Sequence, residues 1–250
     1  MNLEKTELKI KSFDDLTLNS YVYKQQDYTK KWVIIVHGYK CNSAFMESYV
    51  RNFYRLGFNI ITPDCRGHGA SEGKYIGMGW HDRLDVINFI DKIINMENQS
   101  EIVLFGVSMG GAAVLSASGE VLPQNVKCII SDCSYSDAYK IAKIKIKKIN
   151  PLFVYPAAPL INLVSKIKHG YFLSDAKPIK QVKKSKTPIL FIHSDEDKLI
   201  PIKMAYDLYK ATNCEKDIFI VKGAGHGHSS IVDPIGYWKK VKEFTDKYIK

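Results

Sequence analysis

Residues 104–112 read Leu104-Phe-Gly-Val-Ser-Met-Gly-Gly-Ala112, which is the end of an apolar run, then Gly-x-Ser-x-Gly, then small residues. This order is the layout of a nucleophile elbow, a sharp turn between a strand and a helix that exposes a serine hydroxyl. Gly106 and Gly110 suit the turn because a side chain at either position would collide with neighbouring backbone. Gly-x-Ser-x-Gly also arises by chance, but the apolar strand pattern over 101–105 and the Ala- and Gly-rich helical pattern after the motif favour the elbow. Ser108 is therefore the predicted nucleophile.

The composition is that of one globular domain. The chain has 250 residues, of which 46% are hydrophobic, enough for one large core without division into two domains. No run of 18 apolar residues occurs and the first eight residues are mostly polar, so we expect a soluble, cytoplasmic protein. Its five cysteines are scattered and form no Cys-x-x-Cys pair, which argues against a disulfide framework and a zinc site. We expect neither a metal nor a cofactor.

Short apolar runs alternate with helical patterns along most of the chain. The runs of strand type are 32–36, 58–62, 101–105, 126–130, 189–192 and 218–221, and the helical patterns are 43–56, 80–94, 109–120, 202–211 and 237–249. A hairpin pattern over 6–11 and 16–23 precedes them. Strands that alternate with helices predict an α/β fold, a mostly parallel sheet covered by helices on both faces. Ligands of such sheets bind at the carboxyl ends of the strands.

The alternation stops after Cys133. Residues 134–186, called the inserted segment from here on, carry a lysine-rich helical pattern over 139–149, a cluster of three prolines at 151, 156 and 159, and a second helical pattern over 160–167. We interpret the segment as a small helical cap inserted into a core formed by residues 1–133 and 187–250. It holds 12 lysines and two acidic residues, so the whole net charge of +10 lies within it.

Two interpretations of these lysines remain open. In the first, a basic amphipathic helix attracts an anionic substrate or makes weak contact with an anionic membrane surface. In the second, which we favour, isoleucines of 139–149 face an acyl pocket while the lysines lie in water. Nucleic acid is not an expected partner because no arginine-rich or stacking aromatic motif accompanies the charge. Phe153, Tyr155 and Leu160 are candidate walls of an apolar substrate pocket, although packing within the cap would explain them equally well.

A serine nucleophile needs a base within hydrogen-bond reach and a carboxylate that fixes the tautomer of that base. His226 follows the predicted strand 218–221 through a Gly-Ala-Gly loop, so it stands at the carboxyl end of a strand, as Ser108 does. His226 is the predicted base. The other histidines after Ser108 are His169 in the inserted segment, His193 at a strand end and His228 in a loop, and we expect no direct part in the chemistry from them.

Three acidic residues compete for the role of the carboxylate. Asp195, Glu196 and Asp197 all follow the predicted strand 189–192, so their position alone does not separate them. The spacing His-x-x-x-Asp-x-x-x-Pro, which recurs in this part of such folds, selects Asp197. Asp195 is the alternative, although a role in shaping the turn would also explain it.

The oxyanion of a tetrahedral intermediate needs two backbone N–H donors. One is expected from Met109, the residue after the nucleophile. The other is expected from Tyr39, because the sequence His37-Gly38-Tyr39 follows the strand 32–36 and supplies a glycine just before that amide. His37 itself is expected to be a hydrogen-bonded structural residue.

Taken together, these motifs resemble those of the α/β-hydrolase superfamily. The similar stretches are His37-Gly38, 64–72, 106–111, 193–201 and 223–226, and the resemblance extends from about residue 10 to the end of the chain. Residues 75–85 are similar to a bacterial esterase-like group of serine hydrolases, whose members often carry an N-terminal hydrophobic anchor. The resemblance implies an α/β-hydrolase fold with a small helical cap.

The expected function is hydrolysis of small-molecule carboxylic esters with small to medium acyl chains, in which Ser108 attacks, His226 takes the proton and Asp197 orients His226. A monoacylglycerol-type lipase and an aminopeptidase-like enzyme are alternatives with the same machinery. The basic inserted segment counts against the aminopeptidase, which needs acidic residues to hold the amino group of its substrate. A non-catalytic protein that binds an anionic surface is an alternative of another class, disfavoured by the intact serine, histidine and acid. The sequence does not indicate an oligomeric state.

Overall fold

The computed structural model describes residues 3–250, in which helices cover both faces of an eight-stranded sheet. The strands are β1 Thr6–Lys11, β2 Thr17–Tyr23, β3 Lys31–Val36, β4 Asn59–Pro63, β5 Glu101–Val107, β6 Val126–Asp132, β7 Ile189–Ser194 and β8 Lys216–Val221. The helices are α1 Glu47–Arg55, α2 Asp82–Met96, α3 Met109–Ala117, α4 Ala138–Ile149, α5 Val154–His169, α6 Pro178–Gln181, α7 Lys203–Ala211, α8 Ser229–Val232 and α9 Pro234–Tyr248. Short 3₁₀ turns occupy Ser43–Met46, Pro151–Phe153 and Leu173–Asp175.

The strand order across the sheet is β1-β2-β4-β3-β5-β6-β7-β8. β1 and β2 form the predicted antiparallel hairpin, and β2 pairs antiparallel with β4. All the other pairs are parallel, so the prediction of a mostly parallel sheet is confirmed. The chain leaves β3 for β4 on one side and later returns to β5 on the other. The loops after β3 and β5 therefore diverge at the carboxyl edge, which is where parallel sheets bind ligands.

The central strands are apolar throughout because both of their faces are covered. Along β3, Trp32 and Ile34 pack beneath α2 and α3, whereas Val33 and Ile35 face α1 and α9. Every residue of α3 is buried. Its Gly, Ala and Ser side chains are small enough to let this helix lie close against the sheet, and so fix the position of its first turn.

The inserted segment contains one helix that begins earlier than predicted. The sequence predicts a helix over 160–167 after the prolines, but α5 already begins at Val154. Pro156 lies in its first turn, where backbone N–H groups have no partner within the helix, so a proline there removes no hydrogen bond. The last part of the segment packs with the core, because Tyr171 and Val182 belong to the same apolar cluster as Trp32. No helix within residues 3–250 is long and apolar enough to cross a membrane.

Candidate active site

Ser108 occupies the strained turn that the sequence predicts between β5 and α3. Its backbone φ is 56° and its ψ is −113°, a conformation that residues with a side chain seldom adopt. A Cβ atom added to Gly106 would lie 2.3 Å from the Gly110 backbone, and one added to Gly110 would lie 2.1 Å from the carbonyl oxygen of Val36. Both glycines are therefore required by close approach of the backbone, and the turn holds the Ser108 hydroxyl at the carboxyl edge of the sheet.

Three side chains that are far apart in the sequence form one hydrogen-bonded chain. The Oγ of Ser108 lies 2.9 Å from Nε2 of His226, and Nδ1 of His226 lies 2.6 Å from Oδ2 of Asp197. The residues stand in the loops after β5, β8 and β7, so the parallel sheet brings them to the same edge. Since ionised Asp197 can only accept, His226 carries its proton on Nδ1 and presents Nε2 as an acceptor to the serine hydroxyl.

The two oxygens of the buried Asp197 carboxylate have different partners. Oδ2 faces His226, while Oδ1 accepts hydrogen bonds from the amides of Leu199 and Ile200, both at 2.8 Å. Burial on its own raises the pKa of Asp197, but hydrogen bonds from His226 and these amides outweigh it and hold the pKa below its usual value. Asp197 is therefore ionised at neutral pH. Asp195 is exposed and accepts from the Gly223 amide at 2.8 Å, so it shapes the turn instead.

The two amides expected to bind the oxyanion, those of Tyr39 and Met109, belong to residues that stand beside the serine. Met109 is the first residue of α3, so its N–H has no acceptor within that helix. A Cβ atom added to Gly38 would lie 3.4 Å from Cβ of Ser108, which shows how closely the loop after β3 approaches the serine. Tyr39 and Met109 both line the cavity onto which Ser108 opens.

Two buried histidines hold the loop that carries Tyr39. His37 donates from Nδ1 to the carbonyl oxygen of Gly38 at 2.7 Å and accepts at Nε2 from the Cys65 amide at 2.9 Å. His68 accepts at Nε2 from the Lys40 amide at 3.1 Å. Burial lowers the pKa of His37 to about 4, so the ring is neutral at pH 7 and keeps both hydrogen bonds. A structural role for His37 was expected from the sequence, whereas the shared action of the two rings on one loop was not.

The cavity beside Ser108 has a volume of about 180 Å³ and mostly apolar walls. It is lined, besides Ser108, by Tyr39, Met78, Met109, Tyr135, Ala138, Ile141, Ala142, Lys145, Leu173, Leu199 and Ile200. A larger groove of about 450 Å³ follows β1 beside Met96, and no serine, cysteine or histidine lines it. The smaller cavity is therefore the one that can bring a ligand to the serine.

Phe153, Tyr155 and Leu160 do not line this cavity, which corrects their assignment as pocket walls. Each is more than half exposed: Phe153 lies in the 3₁₀ turn before α5, and α5 turns its small residues Ala158 and Ser165 towards the rest of the protein. The apolar wall comes instead from α4, whose Ala138, Ile141 and Ala142 face the cavity.

The remaining histidines lie outside the hydrogen-bonded chain. His193 is fully buried and donates from Nε2 to the carbonyl oxygen of Ile200 at 3.0 Å, and burial lowers its pKa. His228 is exposed, and His169 stacks on Tyr75 with ring centroids 4.2 Å apart. Within residues 3–250, no group of three or more His, Cys, Asp or Glu side chains is placed to hold a metal ion.

Comparison with known proteins identifies several relatives. Residues 27–162, more than half of the chain, match the family model described as "Serine aminopeptidase, S33", and residues 160–246 match the "Dienelactone hydrolase family". Uncharacterized protein YqkD of Bacillus subtilis (strain 168) is 27% identical over 245 residues, covering 98% of this chain and 80% of that protein. The monoglyceride lipase homolog of Monkeypox virus is 24% identical over 242 residues, covering 83% of this chain and 87% of that protein. The structure of the Pyrococcus furiosus esterase Pf2001 has a TM-score of 0.79 at 21% identity, covering 99% of this chain and 94% of that one.

Proposed function

Since the chain belongs to the serine aminopeptidase S33 family of the α/β-hydrolase superfamily, we propose that it is a serine carboxylesterase for esters of small to medium acyl chains. The predicted α/β-hydrolase fold is confirmed, and the family and fold support a hydrolase. The observation that carries the proposal is the hydrogen-bonded chain from Ser108 through His226 to Asp197, which opens onto an apolar cavity.

In the proposed reaction, Nε2 of His226 takes the hydroxyl proton as Oγ of Ser108 attacks the ester carbonyl carbon. The carbonyl oxygen becomes an oxyanion that the amides of Tyr39 and Met109 stabilise. Ionised Asp197 stabilises the imidazolium that forms. Collapse of the tetrahedral intermediate breaks the ester C–O bond, and His226 returns the proton to the departing alcohol. Water, deprotonated by His226, then attacks the acyl-enzyme and releases the acid and the free Ser108 hydroxyl.

The cavity supports the size of the proposed acyl group. Its volume of about 180 Å³ is small, and its apolar walls favour a hydrocarbon chain over a charged side chain. We therefore expect the best substrates to have small to medium acyl chains, and long chains to react more slowly.

Two alternative activities would use the same serine, histidine and carboxylate. A monoacylglycerol-type lipase is supported by the name of the viral relative, and its preference would lie with longer acyl chains. An aminopeptidase is disfavoured, because none of the described residues that line the cavity carries a carboxylate, while Lys145 would repel the ammonium group of a peptide substrate.

The test is hydrolysis of p-nitrophenyl esters of increasing chain length by the wild type, Ser108→Ala and the control Ser48→Ala, whose exposed serine lies on α1. We expect the wild type and the control to hydrolyse the short esters and to react with a fluorophosphonate probe. Ser108→Ala should do neither while it retains its fold by circular dichroism. Turnover that survives in Ser108→Ala would refute the proposal, and failure of the wild type to react with the probe would favour a non-catalytic binding protein.

A further inference from the structure

Helix α5 presents large apolar residues to solvent. Leu160 is 59% exposed, Leu163 50% and Ile167 74%, and Val164 is also exposed. These four residues, called the apolar stripe, follow the spacing i, i+3, i+4, i+7 and therefore share one side of the helix. In a helix at a protein surface, that side normally faces the core, so the stripe is unusual in pointing outward.

The orientation of α5 is fixed by contacts on its opposite side. Oγ of Ser165 donates to the carbonyl oxygen of Tyr171 at 2.9 Å, and Oδ1 of Asn162 accepts from the Ser174 amide at 2.9 Å. His169 adds its stacking contact with Tyr75. Turning the stripe inward would break these contacts, so its exposure is a property of the folded chain.

More large apolar side chains are exposed where α4 ends and α5 begins. Ile149, Leu152, Phe153 and Tyr155 are all exposed, and they stand 5 to 11 residues before the first residue of the stripe. An apolar surface of this extent on a protein is typical of a site that meets another apolar phase or partner.

Lysines flank the apolar stripe on α5 and are frequent on the neighbouring α4. Lys166 and Lys168 stand one residue on each side of Ile167, which places them about 100° to either side of the stripe. Helix α4 adds exposed lysines at 140, 143, 145, 147 and 148. Of the 12 lysines of the inserted segment, Lys177 alone forms an ion pair with another residue of the 3–250 range, namely Asp137. The charge is therefore available to an anionic partner.

We propose that α5 and the preceding residues 149–155 dock on the surface of an anionic phospholipid membrane, with the apolar stripe at the boundary of the acyl chains and the flanking lysines on the phosphates. An apolar strip bordered on both sides by lysines is the pattern of a helix that lies in a membrane interface. A second copy of the chain fits less well, because a two-fold contact through this face would bring the lysines of both copies together.

The experiment is sedimentation with vesicles of phosphatidylcholine alone and of phosphatidylcholine with about one third phosphatidylglycerol, at about 0.05 M and about 0.5 M salt. Two variants test the surface, Leu163→Ser/Ile167→Ser for its apolar part and Lys166→Glu/Lys168→Glu for its charge. Two controls alter exposed residues outside the inserted segment, Val121→Ser/Ile235→Ser and Lys74→Glu/Lys222→Glu. None of the substituted residues lines the cavity, so probe labelling of Ser108 provides a check of folding.

We expect the wild type to bind the anionic vesicles at low salt, to bind the neutral vesicles weakly, and to lose affinity at high salt. Each surface variant should bind the anionic vesicles at least about tenfold more weakly, while both controls match the wild type. Equal losses in the lysine control would show a general charge effect and overturn the proposal. The proposal would also be overturned if the wild type bound no vesicles and formed, in light scattering, a dimer that Leu163→Ser/Ile167→Ser dissociates. Ser108→Ala should bind the vesicles as the wild type does, because docking does not depend on catalysis. Its vesicle binding therefore tests the docking proposal separately from the esterase proposal.

Discussion

The imidazole of His37 connects two loops, since its Nε2 accepts a hydrogen bond from the buried amide of Cys65 at 2.9 Å. Its Nδ1 binds the carbonyl oxygen of Gly38, one residue before the amide proposed for the oxyanion. A backbone donor cannot be removed by substitution, but its position can be changed through the side chain that holds it. His37 is therefore the residue through which the role of Tyr39 can be examined.

Replacing His37 by alanine leaves the Cys65 amide without its partner and releases the Gly38 carbonyl. An unpaired buried donor costs about 1–3 kcal/mol, so we expect the free energy of unfolding to fall by at least that amount. Because the Tyr39 amide is no longer held, kcat for a short ester should fall more than about tenfold with little change in KM. The exposed His228 is the matched control, and His228→Ala should change neither quantity. A loss of stability with unchanged kcat would mean that His37 supports the fold alone.

Variants of Asp197 and Asp195 test which of the two supplies the carboxylate that orients His226. Asp197→Asn keeps the shape of the side chain but presents no ionised acceptor to Nδ1 of His226, so the histidine loses the tautomer that accepts the serine proton. We expect kcat to fall by about 10⁴-fold, measured with p-nitrophenyl butyrate. Asp195→Asn should retain most of the activity, because its carboxylate contacts the Gly223 amide. Equal losses in the two variants would contradict the assignment.

The sequence was sufficient to predict the sheet because its signals are local. Apolar runs such as 32–36 and 189–192 are buried on both faces, and each became a strand within one or two residues. The start of α5 was predicted wrongly, at residue 160 after the prolines, whereas Pro156 lies in the first turn, where it removes no hydrogen bond, and the helix continues through Pro159. Helix boundaries near proline depend on which turn contains it, and the apolar pattern alone does not determine that.

The walls of the pocket were harder to predict than the hydrogen-bonded residues Ser108, His226 and Asp197. Ser108, Asp197 and His226 each follow a predicted strand, so the topology alone brings them to one edge of the sheet. Tyr155 and Leu160 have no such constraint, because the side of α5 that faces the core depends on contacts such as Ser165 with Tyr171. We expected the large apolar residues to be covered, as pocket walls or within the cap, whereas the buried residues of α5 are the small Ala158 and Ser165.

Ile141 on α4 offers a test of the cavity as the acyl site. Ile141→Phe fills part of the 180 Å³, so long acyl chains should no longer fit while short ones still do. We expect kcat/KM for the hexanoate ester to fall at least about tenfold relative to the acetate ester. The control is Ile149→Phe on the same helix, where the side chain is exposed and the ratio should stay constant. An unchanged ratio in Ile141→Phe would place the acyl chain elsewhere.

A second buried carboxylate, Asp132, lies at the end of β6. Its Oδ2 accepts a hydrogen bond from the hydroxyl of Tyr237 at 2.9 Å, and its Oδ1 has no hydrogen-bond partner among the residues of the 3–250 range. Burial raises the pKa of Asp132 to about 7, against which the Tyr237 hydrogen bond acts only partly. Between about pH 4 and about pH 7, Asp132 is therefore protonated in the folded protein. In the unfolded chain it is ionised above its ordinary pKa of 3.8.

The contribution of Asp132 to stability therefore falls as the pH rises between about 4 and about 7, because in that window its carboxyl group holds a proton in the folded state that it has released in the unfolded state. Asp132→Asn keeps the acceptor for Tyr237 and removes the titration. Relative to the wild type, its free energy of unfolding should rise by up to about 4 kcal/mol across the window and stay constant above it, as measured by urea unfolding at several pH values. Asp91→Asn, an exposed change on α2, is the control and should give a difference that does not vary with pH. If the Asp132→Asn difference is equally flat, Asp132 does not hold a proton in the folded protein across this window.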